Sequence, residues 1–167
     1  MFKIYCAGFD VFHTSAKEIA SQQKNVCNIL NFEALTPMDN ELNTSEEIFC
    51  NNIRMINQCD CVVANINEFK GKDMDSGTAF EIGYAYAQNI PIFGYINDKR
   101  SLIEKNRNSR ITVVDNKIYK LEDFDLPVNL MIAQSCQKII QGTFTDCMVN
   151  CVIPYFRNVP LTRKEKE

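Results

Sequence analysis

Short, dense apolar runs alternate along this chain with longer amphipathic stretches. FKIYCA, residues 2–7, reads as a first strand that Gly8 ends. FDVFHTS then turns into a helix near Ser15 to Lys24, and NILNFEAL within Val26–Leu35 predicts a second strand stopping at Thr36-Pro37. Thr44-Ser45-Glu46-Glu47 is a capping box, in which Thr44 caps and Glu47 reaches back, opening a helix to about Gln58. DCVVANI is an apolar run led by an acid, as suits a buried parallel strand. A polar loop, a helix over Thr78 to Gln88 and a buried strand IPIFGYI follow. Ligands bind at the carboxyl ends of strands in such strand–loop–helix–strand units.

The remainder is less regular. Residues 97–108 read as a surface loop with a helical turn, and ITVVDNKIYKL as a hairpin around Asp115-Asn116. A helix is expected from Asp125 and Pro127 through IAQSCQKII to Gly142, then a last amphipathic helix over Thr143 to Phe156. Together these predict an α/β protein: a flavodoxin-like three-layer sandwich with a mainly parallel β-sheet. We expect one domain over residues 1–160 and a charged, frayed tail over 161–167.

Composition narrows the function classes. At 167 residues the chain can bury a core, and a net charge of −3 supplies no basic footprint for nucleic acid. No apolar run approaches a membrane span, and MFKIYCAGFD turns polar too early for a signal peptide. Most of the 8 cysteines lie in apolar runs, without a CxxC pair, beside a single His13. They predict reduced structural thiols in a cytoplasmic protein, with no metal.

The loop and first helical turns after DCVVANI carry Asp73, Asp75 and Glu81 with few cations around them. Ser76, Gly77, Thr78 and Ala79 are small enough to let a ligand approach the backbone. Gly83, costly inside a helix, suggests close packing against a neighbour or ligand. Asp75 can be explained as a helix cap; Glu81, flanked by apolar residues, needs a partner or a task. Two carboxylates and no phosphate cradle suit an uncharged, hydroxyl-rich ligand: one accepts from a sugar hydroxyl, and the other attacks an anomeric carbon. Phe9 and Phe12, at the carboxyl end of the first strand, are either core aromatics or the wall of a planar-ligand site. His13 reads as a surface or capping residue. Asp39, Asn40 and Glu41 form a solvated loop at the same edge of the sheet, and Asn52 lies mid-helix among poor helix formers.

IYCAG with Tyr5, CDCVVANI, DSGTAFEIGYA from Asp75, and PVNLM ending at Met131 together resemble the nucleoside 2-deoxyribosyltransferase family over roughly residues 2–135. The resemblance implies that Glu81 attacks C1′ of a 2′-deoxynucleoside, the base leaves, and a second base attacks the covalent sugar, retaining the β-configuration. It implies that Tyr5 positions Glu81. Asp75 would bind the 5′-hydroxyl with Asn129 and Met131 of a neighbouring subunit, in a dimer or hexamer. Gly8, Phe12 and Asn52 fall on the substrate side, and Asn52 stands where members carry a base-contacting polar residue, often Asp. The implied partners are 2′-deoxynucleosides and free nucleobases, with no cofactor. Two other readings stay open: a 2′-deoxynucleoside 5′-monophosphate N-glycosidase, a group favouring serine where this chain has Asp75, and a non-catalytic nucleoside-binding module.

Overall fold

The computed structural model describes residues 1–158, so the tail expected over 161–167 lies outside the described residues. Five parallel strands make the main sheet: β1 (Phe2–Ala7), β2 (Phe32–Leu35), β3 (Cys61–Asn65), β4 (Ile92–Ile96) and β7 (Lys138–Gln141). Their spatial order is β2-β1-β3-β4-β7, the flavodoxin-like arrangement in which the order reverses between β1 and β3. The acid that opens β3 has a structural task. Asp60 accepts the backbone N–H of Lys3 at 2.7 Å, and its own N–H donates to the Lys3 carbonyl at 2.7 Å.

Alternation along the strands sorts the core into two layers. Tyr5, Ala7, Val62, Ala64, Ile92 and Ile96 pack with α2 (Ser45–Gln58), α3 (Ser76–Ala87) and α5 (Leu130–Ser135). Ile4, Cys6, Cys61, Val63, Phe93 and Tyr95 pack with α1 (Ala16–Ile29) and the C-terminal helical run. That run joins α6 (Phe144–Cys147), a π-helical segment (Met148–Val152) and α7 (Ile153–Asn158). Pro154, lacking an N–H, accounts for the widened turns before it. Six of the eight cysteines are buried.

Three expectations need correction. Residues 26–29 continue α1 rather than opening a strand; Asn31, at φ 62, supplies the left-handed turn that ends the helix, and β2 starts only at Phe32. The helix foreseen from Asp125 to Gly142 is only α5, after which Lys138–Gln141 joins the sheet as its edge strand β7. Gly142, at φ 147, then turns the chain into α6. Gly83 faces open space: an added Cβ would meet no atom within 4 Å, so packing against the described residues of its own chain does not explain it. The capping box at Thr44 is present, as is the hairpin of β5 (Ile111–Val114) and β6 (Lys117–Lys120), which stands apart from the main sheet. The helical turn beside it is α4 (Leu102–Lys105).

Candidate active site

Strand β1 sends Tyr5 into the α2–α3 layer, where the ring is wholly buried. Its hydroxyl donates to Oε1 of Glu81, on α3, at 2.6 Å. Asn52, from α2, donates through Nδ2 to the same Oε1 at 3.3 Å. Both donors converge on one oxygen, and Oε2 takes no hydrogen bond from the described residues. Burial raises the Glu81 carboxyl to about 7; the Asp75 charge pushes the same way, while the bonds from Tyr5 and Asn52 pull it down. Burial, reinforced by the Glu81 charge, holds the Tyr5 phenol far above its ordinary range, so it stays a protonated donor.

Asp75 caps α3. Its Oδ2 accepts the backbone N–H of Thr78 at 2.8 Å and the Thr78 hydroxyl at 2.9 Å, leaving Oδ1 without a bond from the described residues. Asn129 caps α5, accepting the Met131 N–H at 3.0 Å and donating to Oε1 of Glu122 at 2.5 Å. Neither Asn129 nor Met131, which is 69% exposed, bonds to the Tyr5–Glu81–Asn52 group of its own chain. Within one chain, therefore, the sequence-derived residues fall into two sets.

The remaining candidates divide similarly. Gly8 closes β1 against β3, where a Cβ would lie 2.8 Å from Cβ of Asn65, so the close approach of two strand ends requires glycine. Phe12 is 62% exposed, which excludes the core role. It stacks on Phe69 at 5.3 Å, and Phe9 stacks on the same ring at 4.8 Å. Lys70 stands 5.1 Å over the Phe12 ring. Sequence reasoning did not single out Phe69; an aromatic in the otherwise polar loop after β3 was the available signal. His13 is exposed and accepts the Ser15 N–H. Asp39 accepts the N–H and hydroxyl of Thr36 and pairs with Lys24 at 2.7 Å; Asn40 donates to Asn51 and Glu41 pairs with Lys17. That loop is therefore tied to α1 and α2.

A hollow of about 370 Å³ opens beside the start of α3, between Met74, Ala79 and Asn129. Neither this hollow nor a larger one of about 430 Å³ on the opposite layer against α1 is lined by Tyr5, Asn52, Asp75 or Glu81. The half-buried, pKa-perturbed Glu81 carboxylate, rather than either hollow, marks the candidate site. Among the described residues no cluster of three or more His, Cys, Asp or Glu side chains could hold a metal ion. No helix among them is long and apolar enough to cross a membrane.

The fold and site define an α/β protein of the doubly wound type that presents a hydrogen-bonded, half-buried glutamate near the carboxyl edge of its sheet. Residues 4–131 match the family described as nucleoside 2-deoxyribosyltransferase, and the chain belongs to that family. Its structure is similar to the 2-desoxiribosyltransferase from Leishmania mexicana, with a TM-score of 0.78 and 31% identity, covering 92% of this chain and 98% of that one. The 2-deoxyribosyltransferase of Bacillus psychrosaccharolyticus shares the fold at a TM-score of 0.57 and 20% identity, covering 86% of this chain and 88% of that one. The CMP N-glycosidase BcmB of Clostridium botulinum does so at 0.53 and 13%, covering 92% and 98%. An uncharacterized protein of Schizosaccharomyces pombe is 31% identical over 117 residues, covering 64% of this chain. The match spans only 56% of that relative's length.

Proposed function

We propose that this protein exchanges the base of a 2′-deoxynucleoside for another free purine or pyrimidine base through a covalent deoxyribosyl–Glu81 intermediate. The observation that carries this reading is the Glu81 carboxylate, half-buried and held at Oε1 by Tyr5 at 2.6 Å, with Oε2 taking no hydrogen bond from the described residues. Oε2 attacks C1′, the C1′–N bond breaks, and the departing base takes the electron pair and is protonated. The incoming base then attacks C1′ from the opposite face, displacing Glu81, so two inversions retain the β-configuration. The low-polarity surroundings that raise the Glu81 carboxyl also strengthen its pull on a developing oxocarbenium centre.

Asp75 Oδ1 accepts the 5′-hydroxyl of the sugar in this reading, and a carboxylate there repels a 5′-phosphate. That separates it from a 5′-monophosphate N-glycosidase. Asn129 and Met131 reach the site from a neighbouring subunit, making the protein a homo-oligomer with shared sites. Exposed Ile48, Phe49 and Phe80 on α2 and α3 offer the apolar surface for such contact.

The test is chromatographic: deoxyinosine or thymidine incubated with free adenine or cytosine should yield the new deoxynucleoside. Mass spectrometry should find a deoxyribosyl adduct on Glu81, lost in Glu81→Gln. Binding without exchange, hydrolysis or adduct would leave a nucleoside-binding module instead. Faster turnover of dAMP or dGMP than of the free nucleosides would favour the monophosphate reading.

A further inference from the structure

Asp75 receives more than a helix cap needs. The backbone N–H of Thr78 completes the cap on Oδ2 at 2.8 Å, and the Thr78 hydroxyl then donates to the same oxygen at 2.9 Å. Thr78 is 1% exposed, so water does not compete for that hydroxyl. Valine would fill the same space without a polar atom to satisfy, so packing alone does not call for the hydroxyl. Gly77 leaves room on the same side, since a Cβ there would lie 3.1 Å from Oδ2 and crowd it. One donor lets a carboxylate swing about the bonded oxygen; two donors from separate atoms hold it. Asp75 is half-buried, and its Oδ1 takes no bond from the described residues.

We propose that Thr78 is a positioning residue for sugar recognition: its hydroxyl pins Asp75 through Oδ2, so that Oδ1 is presented to the 5′-hydroxyl of the deoxyribose. This rests on the exchange reading above and deepens it. Thr78 itself never meets the substrate; it supplies the part of the 5′-hydroxyl affinity that comes from an acceptor already held in place. Thr78→Val keeps the side-chain shape and the backbone cap, and removes only the second donor. The carboxylate must then lose its freedom when the sugar binds. That cost falls on binding of the 5′-hydroxyl and not on the attack at C1′, which belongs to Glu81.

The experiment measures exchange with free adenine by the wild-type protein, Thr78→Val and Thr78→Ser. The sugar donors are 2′-deoxyinosine and 2′,5′-dideoxyinosine, which lacks the 5′-hydroxyl. Wild-type protein should show the lower KM for deoxyinosine. Thr78→Val should raise that KM about 5-fold with kcat changed by less than about two-fold, and should leave the KM of the 5′-deoxy donor unmoved. Thr78→Ser keeps the hydroxyl and should recover most of the loss. If Thr78→Val does not fold, Gly77→Ala takes its place: the added methyl presses on Oδ2 and should raise KM for deoxyinosine alone. A rise shared by both donors, or a Thr78→Ser as impaired as Thr78→Val, would leave the hydroxyl a purely structural role and overturn the proposal. Equal KM values for the two donors in the wild-type protein would also overturn it while leaving base exchange intact. Absence of exchange in the wild-type protein would remove both.

Discussion

Tyr5 stays protonated across the working range of the protein, and this sets the direction in which its loss acts. Its bond to Glu81 favours the ionised carboxylate. Tyr5→Phe should therefore move the acidic limb of activity to higher pH and lower kcat by about ten-fold, as removal of a hydrogen bond to a charged group does. A rate profile against pH checks both. Glu81 itself sets a trade between stability and activity. Its carboxyl is raised to about 7 in the folded state, so its neutral form favours folding at low pH and that contribution is lost as pH rises through about 7. Glu81→Gln should match the wild-type protein near pH 4 and exceed it at pH 8 by up to about 3 kcal/mol, read from urea unfolding, while exchange disappears. Capping leaves Asp75 room for the proposed binding role, since Thr78 bonds only to Oδ2. Asp75→Asn keeps an acceptor for the cap and removes the charge. It should leave the unfolding midpoint nearly unchanged while raising KM for deoxynucleosides about ten-fold, measured by steady-state kinetics.

At the scale of the element, α3 offers a stabilising change. Gly83 sits inside the helix with free space where a methyl would go. Gly83→Ala should add about 1 kcal/mol, measured by chemical denaturation. The elements legible in the sequence were those with strong local signals: the Thr44 box of α2 and the Asp-Asn turn between β5 and β6. Asp75 was legible as a cap, and its spacing to Glu81 placed both at the start of α3. β7 was not legible, because four residues with two central isoleucines fit a helix as well as an edge strand, and no glycine or proline separates them from α5. The end of α1 was written in Asn31, but asparagine is a weaker stop than glycine and the apolar run around it masked the turn.

For the molecule as a whole, the order of the sheet followed from parallel strands joined by crossover connections. The grouping of Tyr5 and Glu81 came through the family motifs, since residues 76 apart in the chain carry no mark of their contact. Asn129 and Met131 stay outside the Tyr5–Glu81–Asn52 group of their own chain, which makes assembly testable. Glu81→Gln and Asn129→Ala, each inactive alone, should on mixing and reassembly recover about a quarter of wild-type exchange if sites are shared in a dimer. No recovery, despite mixed oligomers seen by native mass spectrometry, would place each site within one chain. The reversal point of the sheet carries a last consequence. β1 and β3 are clamped at their amino ends by Asp60 on Lys3, and they meet at their carboxyl ends where Gly8 touches Asn65. Tyr5 is thus a stationary post, and under the proposed exchange tolerance for bulkier or smaller heterocycles has to come from give in the helices that carry Asn52 and Glu81.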